Sequence, residues 1–136
     1  MAAVIDQLAD RMNAHDLDGV VRLIHPDYRS EQPAHPLREF GTSAQVRANW
    51  GAMFDGIPDF RAELLRSTDD GPTCWTEWRW WGNRTDGQEF DMRGVAIFEV
   101  LDDRITAARI YMEQVEHESG DIEQAVQNQS GLPPVE

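Results

Sequence analysis

EFDMRGVAIFEVL, residues 89–101, decides the fold. Its even positions are Phe90, Met92, Gly94, Ala96, Phe98 and Val100, all apolar. Its odd positions mix Glu89, Asp91, Arg93 and Glu99 with Val95 and Ile97. Strand side chains alternate between faces, so this is one long strand with an apolar face and a mixed face. The turn Asp102-Asp103 follows, and Arg104 to Val115 repeats the pattern, with Ala108, Ile110 and Met112 even and Arg109, Tyr111 and Glu113 odd. Upstream, Asp86-Gly87 is a turn, and Thr73 to Trp81 sets Thr76, Trp78 and Trp80 against Glu77 and Arg79. Before Asp69-Asp70-Gly71-Pro72, a strand alternates Phe60, Ala62 and Leu64 with Arg61 and Glu63. Short turns between consecutive strands mean antiparallel hairpins.

One parity makes the faces agree. It puts Trp78, Trp80, Met92, Gly94, Ala96, Ile110 and Met112 on the concave side, where Gly94 and Ala96 leave room. The outer side then carries Glu77, Arg79, Asp91, Arg93, Arg109 and Glu113 as a surface or dimer-interface ion network. This parity needs three-residue turns or bulges at both hairpins, one of them supplied by a left-handed Asp103. A strict two-residue turn flips a strand and makes those charges a buried acid–arginine site instead.

The N-terminal half is helical. Val4, Ile5, Leu8, Ala9 and Met12 predict a helix over 2–15. Asp16 caps a second helix, Leu17 to Ile24, stopped near Pro26. Thr42 and Gln45 have capping-box spacing and open a third helix, with Val46, Asn49, Trp50, Met53 and Phe54 on one side and Gly56 and Pro58 ending it. Between these helices lie a short strand, Tyr28 to Gln32, and the loop Pro33-Ala34-His35-Pro36. Ser119 to Gly131 predicts a last helical turn or two, and residues 132–136 a frayed tail. The fold class is α+β: a cone-shaped barrel with three N-terminal helices on a strongly curved, mostly antiparallel sheet. Residues 1–118 form a single domain, and 119–136 a short helix and flexible tail.

The 136 residues bury roughly 68% of the unfolded surface, enough for a core and one cavity. A net charge of -13 argues against nucleic acid and anionic membrane as partners. Every basic residue is arginine, so side-chain Schiff-base chemistry is excluded. Lone Cys74 cannot form an intrachain disulfide, Met1 to Leu8 lacks the features of a signal peptide, and no stretch reaches the ~20 apolar residues of a membrane span. The expected location is cytoplasmic.

Chemistry rests on few residues. His35, between Pro33 and Pro36, is either a general acid or base held at a pocket rim or an exposed, loop-bracing histidine. Gln32 shares a face with Tyr28 and Ser30, and either orients a substrate carbonyl or is a structural amide. Trp50, Trp78 and Trp80 are flat walls for a ring-shaped ligand, or simply core. Asn49, Met92, Ile110 and Met112 complete the candidate binding surface. His15, His25, His35 and His117 show no metal-ligand spacing, and no GxGxxG, P-loop or GxSxG pattern occurs, so no cofactor is expected.

Four short motifs carry a resemblance: Asp16-Leu17-Asp18-Gly19, Glu31-Gln32-Pro33, Gly41-Thr42-Ser43-Ala44, and Asp103-Arg104-Ile105 running into Ile110-Tyr111-Met112-Glu113. In this order the chain resembles the nuclear transport factor two-like superfamily, and more narrowly the SnoaL-like polyketide cyclase group, over roughly residues 4–116. The resemblance implies a pocket including Met92, Gly94, Ile110 and Met112. It also implies losses. The general-base Asp of ketosteroid isomerases falls at Gln32, and their oxyanion Tyr and Asp fall near Leu8 and Gly94. The Asp-Arg-Asp set of limonene-epoxide hydrolases falls on Trp78, Trp80 and Ile110. The expected function is cofactor-free cyclisation, isomerisation or dehydration of a hydrophobic cyclic or polyketide-like molecule, with His35 catalytic. The alternative is a non-catalytic binder of a hydrophobic small molecule, or a dimeric scaffold. A homodimer is expected through Val95, Ile97 and Tyr111.

Overall fold

A computed structural model describes residues 3–133. The order is α1 (Ala3–Asn13), α2 (Leu17–Arg22), β1 (Ile24–Glu31), a 3-10 turn at Pro36–Arg38, β2 (Phe40–Gly41), α3 (Ser43–Gly56), β3 (Arg61–Asp70), β4 (Thr73–Asn83), β5 (Glu89–Leu101), β6 (Arg104–Gln114) and α4 (Ile122–Ser130). The strands form one sheet in the order β2-β1-β6-β5-β4-β3. All neighbours are antiparallel except β1 and β6. The architecture is the expected α+β one, with a mostly antiparallel six-stranded sheet.

The register follows the alternation. Trp78 faces Gly94 and Trp80 faces Met92 across β4 and β5. Gly94 faces Met112 and Ala96 faces Ile110 across β5 and β6. The expected apolar set therefore shares one face. At β5–β6 the expected left-handed Asp103 and a bulge are both present, but the bulge lies in the strands and not at the turn. Leu101 pairs with Arg104 around a two-residue turn, and Asp102 and Asp103 are both left-handed, at φ 52° and 59°. Such a turn matches the right-handed twist of the strands. The parity is restored inside the hairpin, by a register shift between Glu99 and Val100. At β4–β5 the connection runs from Asn83 to its partner Glu89.

The expectation that Gly94 leaves room in the pocket is corrected. A Cβ built on Gly94 would lie 2.0 Å from the Tyr111 carbonyl oxygen and 2.9 Å from the Met112 Cα. The β6 backbone already fills that space, so the missing side chain permits close strand approach rather than a void.

Several boundaries also move. The second helix ends at Arg22 and the chain enters β1 at Ile24, with Ile105 donating to the Leu23 carbonyl at 2.7 Å. The strand thus begins four residues before the expected Tyr28. Pro26 has no N–H for a ladder, and the β1–β6 register shifts between Ile24 and Arg29 around it. Thr42 Oγ1 accepts from the Gln45 N–H at 3.2 Å, but the reciprocal half of the capping box is not made. The Gln45 amide donates instead to Asn49 Oδ1 at 2.8 Å. The full capping box belongs to α4, between Asp121 and Gln124. Ala2 of the expected first helix, and 134–136 of the expected tail, lie outside the described residues.

The helices close the concave face of the sheet. Ile5, Met12, Val20, Phe60, Trp78 and Ile105 are buried there, each contributing roughly 1.5–3 kcal/mol or more through removal from water. Asn13 ties α1 to β3: its amide donates to the Ala62 carbonyl and its oxygen accepts from the Ala62 N–H, both at 2.8 Å. His15, left-handed at φ 53°, stacks on Phe54 at 4.7 Å, with Nε2 2.9 Å from the Phe60 carbonyl oxygen. That histidine is structural. No described helix is long and apolar enough to cross a membrane, which says nothing of a β-barrel.

Candidate functional site

Two connected spaces lie between α3 and the concave sheet. An inner cavity of about 50 Å³ is bounded by Leu8, Met12 and Val20 from the helices and by Ile24, Trp78, Ala96 and Phe98 from the sheet. An outer one of about 230 Å³ opens towards the 3-10 turn. Tyr28, Val46, Trp50, Trp80 and Ile110 border both, so the outer space continues into the inner one.

Alternation along β1 explains the polar side of the outer cavity. Tyr28, Ser30 and Gln32 are two residues apart and all line it. The helix period brings Val46, Asn49, Trp50 and Met53 of α3 to the opposite wall. β4 adds Trp80, β5 adds Phe90 and Met92, and β6 adds Ile110 and Met112. Trp50 packs edge-on against Trp80, with ring centroids 5.5 Å apart. The structure thus brings Tyr28, Gln32, Asn49, Trp50, Trp80, Met92, Ile110 and Met112 together around one cavity. Trp78 sits deeper, 1% exposed, and borders the inner space.

The polar atoms of this cavity fall into two groups. Some are satisfied. The Trp78 indole donates to Thr76 Oγ1 at 2.7 Å, and that hydroxyl donates to the Ala96 carbonyl at 2.6 Å. Gln32 Oε1 accepts from Arg38 Nη1 at 2.9 Å. Others are not. Trp80 Nε1 and Ser30 Oγ are both buried without a hydrogen-bond partner. Burial raises the pKa of the Tyr28 phenol; Ser30 lies near enough to oppose that rise in part, although its own oxygen meets no partner in bonding geometry. Tyr28 is therefore a neutral hydroxyl at any ordinary pH.

His35 is not brought to the cavity. Its Nε2 lies 2.7 Å from Glu113 Oε1, on the outer-face side of β6, and neither residue lines either space. The reason lies in the parallel pairing of β1 and β6, with Glu31 opposite Arg109. Continuing along it, the loop after β1 runs beside the outer-face residues of β6. The residue that does turn inward is Arg38, three positions later, at the end of the 3-10 turn. It is the only charged side chain lining the outer cavity among the described residues. Arg38 was not legible as a site residue, because its meeting with Gln32 depends on the path of the intervening loop. Phe40, Met53 and Phe90 were likewise missed, although Phe90 and Met53 sit on the apolar faces that the periodicity marks.

The outer face of the sheet holds a separate groove of about 410 Å³. There Arg79 lies 3.3 Å from Asp91 and 4.6 Å from the centroid of Trp81. Its position agrees with the outward parity of the charged residues. No group of three or more His, Cys, Asp or Glu among the described residues could hold a metal ion. Cys74 is buried, and its thiol is pushed up to about 11, first by desolvation and then by Asp69, so it is no nucleophile at neutral pH.

Residues 5–108 match the family model of the SnoaL-like domain. No curated protein matches the chain by sequence. Among solved structures, wild-type IdmH of Streptomyces antibioticus, a candidate polyketide cyclase, is 20% identical with a TM-score of 0.71, over 82% of this chain and 91% of that one. A limonene-epoxide-hydrolase-like epoxide hydrolase of M. tuberculosis is 19% identical with a TM-score of 0.70, over 81% and 80%. A hypothetical protein of Catenulispora acidiphila with a ketosteroid isomerase-like fold, in complex with trimethylamine, is 14% identical with a TM-score of 0.72, over 96% and 94%. At these identities the shared property is the fold.

Proposed function

This chain belongs to the SnoaL-like domain family, and from that premise we propose that its cone takes up a hydrophobic, cyclic or polyketide-like small molecule. The observation that supports this reading is the aromatic wall formed by Trp50 and Trp80, over an apolar floor of Met92, Ile110 and Met112. Flat apolar walls suit a ring by dispersion and exclusion of water. The volume sets the scale. About 230 Å³ is below the roughly 300–1,000 Å³ of pockets that hold drug-sized ligands, so one or two fused rings fit better than four. Titration of the protein with 2-acetylnaphthalene, followed by calorimetry, tests the reading. Saturable binding that Trp50→Ala weakens at least tenfold supports it. Absence of heat at millimolar ligand sinks it.

A catalytic form of this reading is favoured by Tyr28. Its neutral phenol borders the cavity and can donate to a carbonyl oxygen as charge develops there, the assistance that cofactor-free isomerisation or cyclisation requires. The names of the structural relatives point the same way. A base is also needed, and His35 serves only if it leaves Glu113 and enters the cavity. Turnover of a cyclic ketone that falls in Tyr28→Phe and His35→Ala alike supports that arrangement. Binding without turnover leaves the protein a binder. A homodimer through the outer sheet face belongs to the same proposal, since Trp75 and Tyr111 are exposed there. A monomeric mass by light scattering at micromolar concentration would refute it.

A further inference from the structure

A ring held between Trp50 and Trp80 leaves the inner cavity unfilled. That space is closed on its far side. Of its lining residues only Trp50, Trp80 and Ile110 are half-buried rather than buried, and all three also border the outer cavity. The way in is therefore through the neck that the two spaces share. Part of the space comes from Ala96, which is 0% exposed and supplies one methyl where Phe98, next along the same face of β5, supplies a ring.

The inner cavity is also dry. An ordered buried water needs about two to four polar partners. Among the side chains that line it, Trp78 spends its indole N–H on Thr76, and Trp80 Nε1 has essentially no accessible surface. Only the Tyr28 hydroxyl is left to offer a bond, and one partner does not hold a water. The other lining side chains are apolar and lack contacts on their cavity side, so carbon is the filling they favour.

Volume sets how much carbon. An apolar cavity of roughly 150 Å³ takes one benzene, or about 25 Å³ per carbon. On that scale the outer 230 Å³ takes about nine carbons and the inner 50 Å³ about two. We infer that the inner cavity is an alkyl subsite: the ligand's ring lies in the outer cavity and carries, at its inner end, a branch of about two carbons. This rests on the proposed small-molecule reading and names the substrate class for the same site. The ligand is a one- or two-ring molecule bearing a methyl or ethyl group, with its polar groups towards the mouth, where Gln32 and Arg38 lie.

The test is a chain-length series: 2-naphthol and its 6-methyl, 6-ethyl, 6-propyl and 6-butyl derivatives, each titrated by calorimetry. Affinity is expected to rise about fourfold per carbon as far as ethyl, and butyl is expected to bind more weakly than ethyl. With 6-ethyl-2-naphthol bound, NMR is expected to show cross-relaxation between the ethyl protons and the Ala96 methyl. Ala96→Val adds two methyl carbons to the floor, so the affinity ratio of the ethyl compound to 2-naphthol should fall from about fifteen to near one. Val20→Ala enlarges the same space and should move the maximum from ethyl to propyl. The series on the parent protein and on Val20→Ala stands whether or not Ala96→Val folds. An affinity that keeps rising through butyl, a flat series, or an ethyl ratio unchanged in folded Ala96→Val overturns the subsite and leaves the pocket reading standing. Binding of none of the five overturns both.

Discussion

Trp78 and Trp80 stand two residues apart on the same face of β4, with ring centroids 6.4 Å apart, yet their indole nitrogens end differently. Trp78 donates to Thr76 Oγ1 at 2.7 Å, whereas Trp80 Nε1 is buried with no partner. The first tryptophan is core and the second is cavity wall. Substitution distinguishes them. Trp78→Phe breaks a buried hydrogen bond and opens space around a residue only 1% exposed, so a loss of about 2–4 kcal/mol is expected. Trp80→Phe breaks no hydrogen bond and costs about 1 kcal/mol or less. Urea unfolding midpoints of the two variants check the difference, and equal losses would contradict this division.

Gly94 is a point of close approach between β5 and β6. Because an added Cβ meets the β6 backbone rather than a flexible side chain, Gly94→Ala requires strands to move apart. The expected cost is about 3 kcal/mol or more, at the upper end for overpacking. Chemical denaturation measures it. A variant as stable as the parent would show that the sheet bends without this approach.

His35 meets Glu113 and does not line the cavity. Its contact with Glu113 joins two side chains that are 37% and 58% exposed, and such pairs contribute about 0–1 kcal/mol. His35→Ala is expected to lower stability by no more than that and to leave the affinity for 2-acetylnaphthalene within about twofold. Calorimetry on the variant decides, and a tenfold loss would place His35 back in the site.

Asp59 gives the pH dependence a sign. The Asn83 backbone N–H donates to its carboxylate at 2.7 Å, and the Asn83 side-chain amide at 2.9 Å. These two bonds, the backbone one first, hold its pKa below 3.8. A depressed folded pKa stabilises the protein above the unfolded value, and that stabilisation is lost as pH falls through the folded one. Asn83→Ala removes the side-chain bond. The stability gap between parent and variant is therefore expected at pH 7 and should shrink below pH 3.8. Thermal melts across pH 2–7 follow it, and a gap that widens in acid would reverse the assignment.

The apolar even face of residues 89–101 was determined by the sequence alone, because alternation is a local property. The same holds for Tyr28, Ser30 and Gln32 on one side of β1. Which of two hairpin parities sets Trp78, Trp80, Ile110 and Met112 against that face was left open and was decided by the register. Tertiary structure decided the rest. How the register is reached, through a two-residue turn and a register shift between Glu99 and Val100, is not marked by the alternation. Which side chain from the loop enters the mouth, Arg38 and not His35, depends on β1 lying parallel to a strand about 80 residues away in sequence. Whether an indole is satisfied or left waiting depends on what faces it across the sheet. Composition and period carry no record of such contacts, because they form only when distant segments meet.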